Sequence, residues 1–84
     1  MAYFLYILLC ADNTLYTGTT HDVEKRLEVH TSGKGSKYVR SRLPVKLIYT
    51  EEFPDNKTAL AREWEIKQWS RQEKISRLKL RLFT

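Results

Sequence analysis

Eighty-four residues, 42% of them apolar and 12% aromatic, suffice for one domain with one modest core and are too few for two. Fifteen Lys and Arg against ten Asp and Glu give a formal net charge of +5, which invites a polyanionic partner, while the single Cys10 excludes an intramolecular disulfide and the usual cysteine-based zinc site. No apolar run has the length a membrane-spanning helix needs, and the apolar stretch MAYFLYILLCA lacks a preceding basic segment, so the chain reads as soluble and cytoplasmic rather than exported.

Tyr3 to Ala11, rich in aromatic and branched residues, predicts a strand buried on both faces. Asp12-Asn13 supplies a turn, and Thr14 to Thr19 returns as a second strand whose Gly18 calls for close backbone approach or a bulge. Asp22 can cap or lead a helix running to about His30, with Val23 and Leu27 on its inner face and Arg26 and His30 one turn apart beside them. The loop TSGKGSK, with two glycines and two lysines, reads as a mobile basic connection. Pro44 introduces a third strand, Val45 to Phe53, in which Val45, Leu47 and Tyr49 alternate with Lys46, Ile48 and Thr50.

Pro54-Asp55-Asn56 turns the chain into a helix from about Lys57 to Trp69, capped by Asn56 or Asp55. Ala59, Leu60, Trp64 and Ile66 define its apolar arc, and Glu63 falls inside that arc. Ser70 with Glu73 forms a capping box that begins a last helix, carrying Ile75 and Leu78 inward. The order strand, strand, helix, strand, helix, helix predicts a single α+β domain over residues 1–84. Its small three-stranded sheet is flanked by helices, with the first two strands antiparallel and the place of the third open.

A carboxylate in an apolar arc is costly unless paired, protonated or bound to a cation, so Glu63 is either a metal ligand or the partner of a basic residue such as Lys67. Arg26 and His30 on one helical face offer a phosphate clamp and a titrating group, or a surface arginine and an edge-of-core histidine. Tyr6 and Tyr16 can meet across the hairpin, where aromatic pairs usually pack. Lys34, Lys37, Arg40, Arg42 and Lys46 form one basic block without an acid among them, and Arg71, Lys74, Arg77, Lys79 and Arg81 form another. Both fit an electrostatic footprint for phosphate or a solvated surface.

In order, these residues resemble the GIY-YIG nuclease superfamily, in particular its small stand-alone bacterial members. Leu5-Tyr6-Ile7 stands for the first signature segment, and Tyr16-Thr17-Gly18 for the second. Asp22 to Leu27 with His30 looks like the helix bearing the catalytic arginine, and Ala59 to Trp64 like the helix that presents the metal-binding glutamate. The likeness covers roughly residues 3 to 70 and implies an antiparallel sheet and metal-dependent cleavage of phosphodiester bonds, in DNA more than RNA.

It further implies roles for five residues. Glu63 would hold one Mg²⁺ or Mn²⁺, Arg26 would offset phosphoryl charge, and Tyr6 or Tyr16, helped by His30 or the metal, would activate or orient water. A free tyrosine titrates at about pH 10, so a base role requires a cationic neighbour. Lys34, Lys37, Arg40, Arg42 and Lys67 are the expected nucleic-acid contacts, with specificity supplied by a homodimer or partner protein. The competing readings are a non-catalytic nucleic-acid-binding module of the same fold and an adaptor for acidic proteins.

Overall fold

The computed structural model describes residues 2–82. The chain runs β1 (Tyr3–Cys10), β2 (Leu15–Thr20), α1 (Val23–Thr31), α2 (Lys37–Arg40), β3 (Val45–Phe53), α3 (Asn56–Lys67) and α4 (Arg71–Leu78). All strand pairs are antiparallel in the order β2-β1-β3, so the third strand lies beside the first and β2 forms an open edge.

Strand β1 is central, and its Leu5, Tyr6, Ile7 and Leu8 are all buried. Leu5 and Ile7 face one way, where Ile66 and Leu80 complete a core joined by Trp69, Ile75 and Leu78 from α3, α4 and the corner between them. Tyr6 and Leu8 face the other way, against Leu27 of α1, Val39 of α2 and Leu43. Burying each such side chain contributes about 2 kcal/mol, so one short strand anchors both layers.

Three expectations need correction. Lys37 to Arg40 is a helical turn capped by Ser36, and Val39 within it is fully buried. The Lys34 amide bonds the Val29 carbonyl at 3.1 Å, which fastens the start of the glycine-containing segment to the end of α1.

In β3 the alternation breaks. Ile7 pairs with Tyr49 but Leu8 with Leu47, which makes Ile48 the extra residue of a bulge. Val45 and Leu47 therefore join the α1 side, while Ile48 and Tyr49 join the α3 side. The third correction lies in α3, where Ala59 and Ile66 are buried but Leu60 and Trp64 face solvent.

The capping predictions hold in detail. Asp22, Asp55 and Ser70 each accept from a backbone amide of the helix they precede, and Glu73 closes the capping box.

Candidate active site

Cross-strand register builds the aromatic half of the site. Tyr6 lies opposite Gly18 and Leu8 opposite Tyr16, so the pleat puts Tyr6 and Tyr16 on one face of neighbouring strands. A Cβ at Gly18 would lie 2.6 Å from the Tyr6 hydroxyl oxygen. The bare glycine is what lets the Tyr6 ring lie across β2 and reach α1, which is the close approach its place in the strand predicts.

There the Tyr6 hydroxyl meets His30 Nε2 at 2.9 Å. The histidine, in the last turn of α1, is 1% exposed, far more enclosed than an edge-of-core position. Its other face is closed by Gly35, where a Cβ would overlap the imidazole Nδ1. Tyr16 presents its ring edge to His30 with centroids 5.3 Å apart, and Tyr38 of α2 continues the cluster at 5.9 Å from Tyr16.

Burial pushes the Tyr6 hydroxyl well above the ordinary tyrosine range. The nearby Tyr16 and Glu63 add to that rise, and Arg26 partly offsets it. Burial first and Arg26 second hold His30 below its usual value. Arg26, one turn before His30 on α1, remains exposed and lines a cavity of about 320 Å³ with Thr20, Asp22 and Lys25. The Tyr6 hydroxyl thus meets His30 directly and its ring lies 6.3 Å from that of Tyr16, whereas Arg26 and Glu63 act on it through charge alone.

Glu63 approaches from the other layer. Its helix packs on the opposite face of the sheet, and its carboxylate comes to edge strand β2, where the Thr19 hydroxyl donates to Oε1 at 3.5 Å. Lys67 Nζ sits 2.7 Å from Oε2, with the glutamate side chain 16% exposed and the lysine 52%. The paired reading of Glu63 is therefore realised, through an ion pair whose lysine end is free to swing into solvent.

The basic positions divide. Lys34, Lys37 and Arg40 are exposed. Arg42 is structurally engaged: its guanidinium pairs with Asp12 at 3.0 Å and stacks 3.8 Å above the Tyr38 ring, tying the β1–β2 turn to α2. Sequence reasoning passed over Tyr38 and Thr19. Strand alternation places Thr19 on the side of α3, but the partner it would meet there depends on the helix packing.

Residues 2–76 match the GIY-YIG catalytic domain. The chain belongs to the GIY-YIG family. Such domains are generally endonucleases that use divalent metal ions. A UPF0213 protein of Streptococcus agalactiae serotype V is 50% identical over 76 residues, covering 90% of this chain and 86% of that one. A UPF0213 protein of Staphylococcus haemolyticus is 47% identical, covering 94% and 96%. Among solved structures, the NMR structure of the UPF0213 protein BH0048 from Bacillus halodurans shares 43% identity with TM-score 0.62, covering 94% of this chain and 84% of that one. The NMR structure of EF2693 from E. faecalis shares 38% with TM-score 0.67 and the same coverage.

The donors suit a hard ion. Among the described residues, no three His, Cys, Asp or Glu side chains converge on a point, as tetrahedral zinc would require. A single carboxylate fits Mg²⁺ or Mn²⁺, because such an ion keeps much of its water and takes substrate phosphate as further ligands. Glu63 is the carboxylate that would hold it, and it lies on the α3 side of β2 with Lys67 as its present partner.

Proposed function

We propose that this protein is a metal-dependent nuclease that hydrolyses phosphodiester bonds, in DNA more than in RNA. The observation that carries this reading is the buried Tyr6–His30 hydrogen bond of 2.9 Å, lying in the combined field of Tyr16, Arg26 and Glu63. Arg26 stands exposed one turn before His30 on the same helix, and Glu63 reaches the neighbouring β2 edge from α3.

A divalent ion held by Glu63 would polarise the scissile phosphate and stabilise the leaving oxygen. Lys67, released from the carboxylate, would turn to a neighbouring phosphate. Arg26 lies in the open cavity and offsets charge developing on the phosphoryl oxygens.

The Nδ1 atom of His30 has no partner, and a bare lone pair costs less there than a buried unpaired N–H. The proton therefore belongs on Nε2, which donates to the Tyr6 oxygen. Tyr6 keeps its own proton, because burial opposes the phenolate, and can donate it toward phosphate or the attacking water. Tyr6 and His30 then position the reaction. Orienting or activating the water falls to Tyr16, which is only half-buried and packs against His30. Lys34, Lys37 and Arg40 extend the phosphate-binding surface, so affinity should fall steeply with salt.

The test is cleavage of labelled single-stranded, duplex and branched DNA and RNA in Mg²⁺, Mn²⁺ or EDTA by the wild type, Glu63→Ala, Arg26→Ala and Tyr16→Phe. Metal-dependent cutting should disappear in the first two variants and fall by about 100-fold or more in the third. Equal cutting by wild type and Glu63→Ala would overturn the reading. If wild type and Tyr16→Phe were equally active, the water-activating role would pass to His30.

A further inference from the structure

Two apolar side chains of α3 stand in solvent: Trp64 is 69% exposed and Leu60 46%. At about 100° per residue, one flank of the helix reads Glu63, Lys67, Leu60, Trp64 and Lys57 in angular order outward from the core, with Arg62 and Glu65 on the other flank. Two contacts orient these flanks. Glu63 reaches Thr19 on β2, whereas Arg62 bonds Glu51 on β3 at 2.9 Å. Since β2 and β3 are opposite edges of the sheet, the exposed Trp64 lies on the side of the open β2 edge, continuous with the Glu63 carboxylate.

On this flank of α3 the acid is Glu63. The other acid of α3, Glu65, is on the far flank and pairs with Arg62 at 2.7 Å. Lys57 and Lys67, both exposed, lie on the same flank on either side of Leu60 and Trp64. Two ammonium groups on the same flank as an exposed indole suit a ligand that carries both a flat apolar face and a negative backbone. A second copy docking this patch on itself would set like charges against one another, which disfavours self-association as its use.

We propose that Trp64, supported by Leu60, is a stacking platform for an unpaired base of single-stranded nucleic acid, with Lys57 and Lys67 receiving the adjoining phosphates. This inference rests on the nuclease reading and narrows its substrate to a single strand or a frayed end. In an intact duplex both faces of each base are already stacked, so an indole gains nothing from it. Along a single strand, a base stacked on Trp64 would draw the backbone past Lys67 toward Glu63. The preference is for strandedness and not for sequence, because every base offers a π-face.

The experiment measures binding of a labelled oligothymidylate and of a duplex of equal length in EDTA by fluorescence anisotropy, for wild type, Trp64→Ala and Trp64→Phe. Sedimentation and melting curves accompany each protein. Trp64→Ala should weaken single-strand binding by about tenfold or more and leave duplex binding within about twofold. Trp64→Phe should recover most of the loss, and the melting temperature should hold because the side chain is exposed.

Unchanged single-strand affinity in Trp64→Ala would overturn the platform, as would an equal loss on duplex or a dimer that depends on Trp64. Cleavage measured beside binding separates the two readings. If cutting depends on Glu63 while single-strand binding ignores Trp64, the platform alone falls. If wild type neither binds nor cuts nucleic acid, both fall.

Discussion

His30 and Glu63 stand at opposite sides of the proposed site. His30 is 1% exposed, hydrogen-bonded to Tyr6 and closed in by Gly35, so moving it means moving the core. Glu63 rests on a helix flank with a lysine partner 52% exposed, which can leave without disturbing any packing. The difference separates two tasks. Groups that position a reaction gain from rigidity, whereas a carboxylate that must exchange a cation needs a weak and accessible partner.

The comparison breaks most easily at His30. Replacing it with alanine should cost about 3 kcal/mol in a denaturant or thermal melt, through the cavity left and the lost partner of the Tyr6 hydroxyl. A cost below about 1 kcal/mol would mean that the aromatic cluster is not part of the core. Gly35→Ala comes next, at about 1–3 kcal/mol, because its new methyl group overlaps the imidazole and the tied-down loop must shift. A wild-type melt for Gly35→Ala would show that the loop yields freely, and the rigidity argued for this half would fail.

The acid sensitivity of the two halves should also differ. His30 has a folded-state value below the unfolded one, so near neutrality the unfolded chain binds more protons than the folded chain. Its contribution to stability is then fully present above about pH 6.5 and is lost as pH falls from there through the lower folded-state value. Asp12, Asp55 and Glu73, whose carboxyls are held below their usual values by hydrogen bonds to Thr14, Thr58 and Ser70, lose theirs only at more acid pH. Stability measured from pH 7 to 5 should fall in the wild type and flatten in His30→Gln. Parallel curves would assign the slope to another group.

The same contrast explains what the sequence made legible. Register and pleat follow from alternation, so the pairing of Tyr6 and Tyr16 and the need for Gly18 are readable along one hairpin. Glu63 was conspicuous because helical periodicity put a charge near the core. The period could not say where that arc stops: Leu60 and Trp64 continue it in sequence, yet the sheet that α3 covers is too narrow to bury them. The bulge at Ile48 and the helical turn at Lys37–Arg40 escaped for a related reason. Both are set by contacts with distant elements, the first by the bulged pairing with β1 and the second by Val39 entering the core beside Tyr6 and Leu8.

Glu63→Gln should have the smallest effect on stability and the most telling one. The amide keeps the length of the side chain and can still accept from Thr19, while the lost pair with Lys67 is an i,i+4 contact worth about 0.5 kcal/mol or less. Cleavage should nevertheless vanish, since a neutral amide is a poor ligand for a hard divalent ion. Lys67→Met removes the same ion pair from the other side and should be equally quiet in the melt, but it keeps the carboxylate, so metal-dependent cutting persists at saturating substrate while KM rises through the lost phosphate contact. If both variants lost activity together, the pair itself would be the functional unit. If Glu63→Gln alone does so, the carboxylate is the functional group and Lys67 its replaceable counter-ion.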